Sequence, residues 1–244
     1  MARFFVEKEK ISDNKIIIDG SDAHHIARSL RMAEGDEAVV CDGEGKEYRC
    51  TLSRIRDDEC ICDIVEEMNS SAEPMVSITL YMAYPKGDKL ETIIQKSVEL
   101  GVSKIVPFES QRCIKRPKAE KAEKQNARLA RIAEEAAKQC GRAKIPTVTS
   151  PLSYSAMLEE ARCANLNLLC YENEEGLTIK DIIKDKKRPS TISVIVGSEG
   201  GFSPEEVEKA KSSGCISVSL GNRILRCETA PLFALSVLSF EYEL

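Results

Sequence analysis

The 244-residue sequence contains no tryptophan, only 2 histidines and 5% aromatic residues, and it has no Cys-x-x-Cys pair among its 10 cysteines. None of its apolar runs comes near the roughly 18–20 residues that a membrane span requires, so no membrane partner is expected. Without paired cysteines at ligand spacing a zinc site has no basis, and no metal is expected. The nearest arrangement, Cys60-Ile-Cys62, puts two thiols on one face of an extended strand, but no second pair with histidine follows. The cysteines read instead as small buried hydrophobes in a reducing compartment. The opening Met-Ala-Arg-Phe-Phe lacks the basic region, apolar stretch and small-residue cleavage site of a secretory signal, so a cytoplasmic protein is expected. Internal repeats and low-complexity tracts are also missing.

Charge is plentiful but unevenly placed. The 35 Lys and Arg against 40 Asp and Glu give a formal net charge of −5, which argues against an evenly basic nucleic-acid binder. Residues 1–72, however, carry 10 basic and 17 acidic side chains, whereas residues 112–144 carry 11 basic and 4 acidic ones. A solvated helix face with compensating pairs is the plain reading of such a run. The imbalance within this one is too large for internal compensation. With a Debye length of about 8 Å at physiological salt, a local basic patch acts on phosphates despite a distant acidic half.

The first seventy or so residues read as strands over 3–6, 15–19, 38–42, 47–55 and 60–65, interrupted by a helix over 22–31. Tyr48, Cys50 and Leu52 alternate with Arg49, Thr51 and Ser53, the period of two of a half-buried strand. Asp42-Gly43 and Gly45 supply hairpin turn chemistry. A small β-barrel or sandwich is predicted, ending in a polar linker over 68–74 that closes on Pro74. Beyond it, strands at 76–82, 104–107, 166–170, 191–196 and 215–220 alternate with helices at 88–100 and 119–140, each stopped by a glycine, Gly101 and Gly141. The first helix shows an amphipathic stripe of Leu90, Ile93, Ile94 and Val98, and the second buries Leu129, Ile132, Ala133 and Ala136. An α/β domain with a largely parallel sheet follows. The final stretch, 232–240, is apolar around nearly its whole circumference, as suits a helix buried in the core or against a partner chain.

Two glycine turns carry the chemistry. The first, over 197–201, follows a buried strand and precedes a helix start with Ser203 at the N-cap, Pro204 at the first helical position and Glu206 completing a capping box. Gly197, Gly200 and Gly201 permit positive φ and let a ligand approach main-chain amides. The spacing matches neither a dinucleotide fingerprint nor a P-loop, and a tight structural turn and a ligand loop both remain open. The second turn, Leu220-Gly221-Asn222, leads through Arg223, Arg226 and Glu228 into the terminal helix. Charges between a buried strand and a buried helix need a partner or a ligand, and an Arg226 to Glu228 structural pair is the simplest partner. Two such turns in one domain point to a single pocket.

These residues resemble a known family. Gly197-Ser-Glu199-Gly200-Gly201-Phe202, followed by Leu220-Gly221-Asn-Arg223-Ile224-Leu225-Arg226-Cys227-Glu228-Thr229-Ala230, is similar to the small-subunit (16S) ribosomal-RNA uridine-N3 methyltransferases of the SPOUT superfamily. The resemblance extends over the whole chain. It includes His25-Ile-x-Arg28-x-Leu-Arg31-Met, Lys86-Gly-Asp-Lys89-x-Glu91, Gln95-Lys96-Ser-x-Glu99-Leu-Gly101-Val, and Glu134 with Gln139-Cys140-Gly141-Arg142. Ser198 departs from the pattern where proline is common, and Cys227 where threonine or alanine is usual.

The resemblance implies an α/β protein made of a PUA-like β-barrel for RNA binding over 1–70 and a SPOUT domain with a trefoil knot over 75–244. It implies a homodimer formed beside the cofactor site, acting on ribosomal RNA or the small ribosomal subunit. The cofactor would be S-adenosylmethionine, held by three loops that include Leu169 and Tyr171, then Gly197, Glu199, Gly200 and Gly201, then Leu220, Gly221, Ile224, Leu225, Thr229 and Ala230. Uridine N3 carries a weakly acidic proton that must leave before the nitrogen attacks a methyl group, so the site needs a proton acceptor or a group that stabilises the uridinate anion. Arg226 is the candidate for the anion and Glu228 for base or orienter. N3 lies on the Watson–Crick edge, so the target uridine must be unpaired or flipped, and contacts elsewhere must offset that. Those contacts are assigned to His25, Arg28, Arg31, Arg112, Lys115 and Arg142. His24 and His25, adjacent at a helix start, read as RNA contact or local capping rather than catalysis. The competing reading is an RNA-binding ribosome-assembly protein that keeps the fold without catalysis, although a pure binder has little physical use for a glycine-lined pocket.

Overall fold

Alternation of apolar and polar side chains builds the first strands, β1 (Ala2–Phe5) and β2 (Lys15–Asp19). A short helix α1 (Gly20–His24) follows, then β3 (Glu37–Cys41), β4 (Lys46–Ile55) and β5 (Glu59–Asn69). The computed structural model describes residues 1–114, 122–184 and 187–244. The strands form one curled sheet in the order β1-β3-β4-β5-β2, antiparallel except for the β1–β3 pair. Register shifts in β4 at Arg49/Cys50 and Leu52/Arg54 mark irregularities of the kind that bend and twist a strand. Ile16, Ile18, Tyr48, Cys50, Leu52, Cys60 and Cys62 face inward and pack with Phe4, Ile26 and Val40, as the alternation predicts. The helix expected over 22–31 is two pieces: α1 runs into a π-helix at His25–Leu30, which Arg31 ends with φ 52.

Contacts divide the chain into one unit of Met1–Glu73 with Ala137–Ile145 and a second of Pro74–Ala136 with Pro146–Leu244. The segment expected to be a linker is ordered by hydrogen bonds. β5 reaches Asn69, and the Glu73 carboxylate accepts from the Arg142 guanidinium at 2.9 Å and from the amides of Ala143 and Lys144 at 2.9 and 3.0 Å. Arg142 is only 4% exposed. Its assignment as an RNA contact is therefore corrected: a buried guanidinium committed to a carboxylate does not face a phosphate backbone.

The second unit is a seven-stranded parallel sheet. Its elements are β6 (Ser77–Ala83), α2 (Lys89–Glu99), β7 (Lys104–Glu109), α3 (Ala122–Cys140), β8 (Thr147–Val148), β9 (Leu152–Ser153), α4 (Tyr154–Ala161), β10 (Leu166–Cys170), α5 (Ile179–Ile183), β11 (Thr191–Val196), α6 (Pro204–Ser212), β12 (Ile216–Val218) and α7 (Thr229–Glu243). The strand order is β12-β10-β11-β6-β7-β8, with β9 also on β7. Leu90, Ile93, Ile94 and Val98 of α2 are buried, and Gly101 follows the helix with φ +84. The reciprocal capping box of Ser203 and Glu206 opens α6, with Pro204 at its first turn.

Tertiary partners also rewrite the basic segment. Arg128 pairs with Glu91, Lys138 with Asp22 and Arg142 with Glu73, all carboxylates far away in sequence. Compensation invisible within residues 112–144 thus comes from elsewhere in the chain. Lys115, with Arg116 and Lys118, lies outside the described residues.

Candidate functional site

β12, β10 and β11 lie side by side, and their carboxyl ends send three loops to the rim of one cavity of about 550 Å³. Ligands in open parallel sheets bind at such carboxyl ends. The loop after β10 brings Tyr171 and Glu172, that after β11 the glycine turn, and that after β12 residues 219–227.

The glycine turn closes on a hydrogen bond from the Gly201 amide to the Ser198 carbonyl at 3.0 Å. Phe202 anchors it, 1% exposed and parallel to Phe108 with ring centroids 6.4 Å apart. Crowding explains the glycines. A Cβ on Gly197 would lie 3.2 Å from the Gly201 backbone, and one on Gly200 3.0 Å from the Arg112 Cβ. At Gly201, with φ +64, it would fall 1.9 Å from Glu172 Oε1. Arg112 Nη1 donates to the Gly200 carbonyl at 3.0 Å, and the Gln111 amide donates to the Glu206 carboxylate at 2.7 Å. The start of the basic segment is therefore pinned to the turn.

On the same cavity, Arg223 and Arg226 are exposed. They are not trapped between strand and helix as the sequence suggests, and the Arg226 to Glu228 pair does not form. Glu228 instead binds Lys89 Nζ at 3.0 Å and accepts from the Cys227 thiol at 3.2 Å. Burial would raise the Glu228 pKa, but hydrogen bonds from the backbone, Lys89 and Cys227 outweigh it and hold the carboxyl below its usual range. Burial and the Glu228 carboxylate push the Cys227 thiol up to about 12, so it remains a donor.

Residues 72–239 match the profile described as an RNA methyltransferase domain. The chain belongs to this RNA methyltransferase family. Residues 18–65 match an RNA methyltransferase PUA domain, the part of the chain that forms much of the curled sheet. The chain is 35% identical over 251 aligned positions to a Ribosomal RNA small subunit methyltransferase E of Bacillus subtilis, covering 100% of this chain and 98% of that one. Among solved structures, a Ribosomal RNA small subunit methyltransferase E of Neisseria gonorrhoeae bound to S-adenosyl methionine superposes with TM-score 0.88 at 31% identity, covering 98% of this chain and 97% of that one. A putative methyltransferase of Legionella pneumophila in complex with the cofactor SAM gives 0.87 at 30%, with 98% and 97% covered.

The methyltransferase cavity gathers most of the residues singled out in the sequence. Tyr171, Gly197, Glu199, Gly200, Gly201, Leu220, Gly221, Ile224, Leu225, Ala230 and Arg226 line it. Leu169 does not: it is wholly buried within β10. Thr229, the exposed first residue of α7, stands outside the lining, and Glu228 reaches the cavity rim through Lys89. In the first unit His25, Arg28 and Arg31 are all exposed on the π-helix and its end, with Arg28 paired to Asp57. Lys89 carries no role in the sequence, where it stands in the motif over 86–91 and off the buried stripe of α2. A lysine in the first turn of a helix opposes the helix dipole, and that was the available signal. Ser198, noted in the sequence only as a departure from the family pattern, has its hydroxyl buried in the cavity wall without a hydrogen-bond partner among the described residues.

Proposed function

We propose that this protein is an S-adenosylmethionine-dependent methyltransferase that modifies N3 of a uridine in small-subunit ribosomal RNA. One observation carries the reading: a glycine turn after β11 and an arginine turn after β12, the two strands that flank β10, line one cavity. Its residues fit the cofactor. The volume lies within the ~300–1,000 Å³ of small-molecule sites, three glycines expose main chain where a Cβ has no room, and the orphaned Ser198 hydroxyl awaits a partner.

When bound, the cofactor supplies a methyl group on a positively charged sulfur. Gly197, Gly200 and Gly201 let the main chain approach it, while Tyr171, Glu199, Leu220, Gly221, Ile224, Leu225 and Ala230 wall it in. Arg226, exposed at the cavity, stabilises the negative charge that uridine develops as N3 loses its proton. Glu228 has a lowered pKa and is correspondingly a weak base, so its role is to orient the Arg226 turn. RNA is gripped by the first seventy residues through His25, Arg28 and Arg31, and by Arg112 and Lys115 in the methyltransferase domain of residues 75–244. The protein works in the cytoplasm on ribosomal RNA or the small subunit. Among the described residues, no helix is long and apolar enough to cross a membrane.

Calorimetric titration with S-adenosylmethionine tests the activity: absence of binding at high micromolar ligand returns the chain to the RNA-binding assembly reading. Mass-spectrometric mapping of small-subunit RNA from a strain lacking the protein then identifies the missing methyluridine.

Arg31 offers a sharper test of RNA contact. A non-glycine residue in the left-handed region costs about 1–2 kcal/mol, and a helix end there favours glycine. Arg31→Gly is therefore expected to raise Tm by about 1–3 °C in a thermal melt, while weakening RNA binding in a filter assay. Unchanged RNA affinity would reduce Arg31 to a strained surface residue.

The same reading includes a homodimer and a knotted C-terminal segment. Phe233, Val237 and Phe240 repeat along α7 at helical spacing, and Phe240 is 70% exposed. All three border a groove of about 500 Å³ that shares Ser219, Leu220 and Gly221 with the cofactor cavity. Sedimentation should give a dimer for the native chain and a monomer for Phe240→Glu; a monomeric native chain would end the dimer proposal. For the knot, a chain trace from crystals in which the C-terminal segment threads no loop would do the same.

A further inference from the structure

The run from Lys86 to Glu91 stands out in the sequence, yet the proposed reaction gives it no task. Lys89 is the first residue of α2, where a cation faces the positive end of the helix dipole. Its ammonium is nevertheless held, 3.0 Å from Glu199 Oε1 and 3.0 Å from Glu228 Oε2, with the Cys227 sulfur at 3.7 Å. The Lys86 amide donates to the same Glu199 carboxylate at 3.2 Å. Glu199 belongs to the glycine turn after β11, Glu228 to the turn that carries Arg226, and Lys89 to the start of α2. Three segments distant in sequence thus meet on one nitrogen.

We propose that Lys89 is a positioning residue that fixes the Arg226 turn against the glycine turn by bridging Glu228 and Glu199 across the cavity. The inference rests on the cofactor reading above and assigns a role to a residue outside it. The ion cluster is half-buried, with side-chain exposures of 34% for Lys89, 28% for Glu199 and 26% for Glu228, so it is screened less than a surface pair. Two carboxylates that share one nitrogen at these distances lie within about 6 Å of each other, close enough for strong repulsion once the cation is removed. Without Lys89 the two turns push apart. The other ionisable groups lining the cavity are Tyr171, Glu172, Arg223, Arg226 and the thiols of Cys170 and Cys227.

The test is calorimetric binding of S-adenosylmethionine from about pH 5.5 to 8, with thermal melts to check folding. Both carboxyls are held below their usual range: at Glu199, burial raises the pKa but hydrogen bonds from its own backbone, Lys89 and Lys86 outweigh it. The native protein should therefore show a flat Kd across that window. In Lys89→Met, Kd should weaken about tenfold at the alkaline end and recover as pH falls, because one carboxylate takes a proton and hydrogen-bonds the other. Lys89→Arg should restore the flat profile. The double variant Lys89→Met/Glu228→Gln should bind more tightly than Lys89→Met at the alkaline end, since one repelling charge is gone. A native-like flat profile in Lys89→Met, or an equal loss in Lys89→Arg, overturns the proposal. If Lys89→Met fails to fold, Lys89→Arg and Glu228→Gln decide it: flat and near-native binding for the first with weakened binding for the second is the expected pattern, and indifference in both overturns it. Failure of the native protein to bind cofactor is a separate result that removes the cofactor reading itself.

Discussion

Replacing Arg226 with alanine is expected to lower the single-turnover rate of methyl transfer by about 10²–10³-fold, the usual loss when one preorganised donor to a developing anion is removed. The fold should be nearly indifferent. Arg226 is exposed and forms no ion pair among the described residues, and a surface substitution of that kind changes stability within about 0.5 kcal/mol. The peptide oxygen of residue 226, which accepts from the amides of Thr229 and Ala230 at 2.8 and 2.9 Å, survives the change and keeps the start of α7 in place. Arg226→Lys should recover only part of the rate, because a point charge replaces a planar fork of donors. Transfer of labelled methyl groups to small-subunit RNA, alongside calorimetric cofactor binding, separates the causes. Near-native turnover in the alanine variant would take Arg226 out of the mechanism. A loss accounted for entirely by weaker cofactor binding would reassign it to the pocket wall.

Gly201→Ala should abolish measurable cofactor binding while leaving most of the protein folded. The residue sits at φ +64, where a side chain costs about 1–2 kcal/mol, and the added methyl would lie 1.9 Å from Glu172 Oε1. That clash involves the far end of a flexible side chain, so Glu172 swings aside. It lines the cavity together with Gly201, so its displacement changes the space a ligand needs. A fall in Tm of about 2–8 °C is expected from the backbone strain, against a loss of cofactor affinity of more than about 100-fold. Native-like binding would mean that ligand does not approach the turn from this side. Gly197→Ala is the companion, because its methyl would meet the Gly201 backbone at 3.2 Å, which cannot rotate away. It should cost more stability than Gly201→Ala loses through Glu172.

Local chemistry made several elements readable in advance. Strands at Lys15–Asp19, Leu166–Cys170 and Thr191–Val196 begin and end where apolar patterning puts them, and the Ser203–Glu206 capping box forms as its spacing requires. Both glycine turns were visible too, the first because only glycine tolerates the close approach it makes and the second because Gly221 takes φ +111. Less readable was anything whose partner lies far along the chain. Arg142 looks like one more cation in a basic run, yet Glu73 buries it; the Met68 to Pro74 stretch looks like a linker, yet the same carboxylate ties it down. Lys89 looks like the polar face of a helix, and its two partners come from turns more than a hundred residues on.

Periodicity, turn residues and caps act over a few residues, so they are written into the chain itself and determine the curled sheet, the parallel sheet and the two turns that frame the cavity. Which charges are neutralised is a different matter. An ion pair depends on distances of a few ångströms across the folded chain, so the count over residues 112–144 could not show that Arg142 is committed to Glu73. The net charge of a segment says how many cations it has, and folding decides which of them still face a phosphate or a uridine.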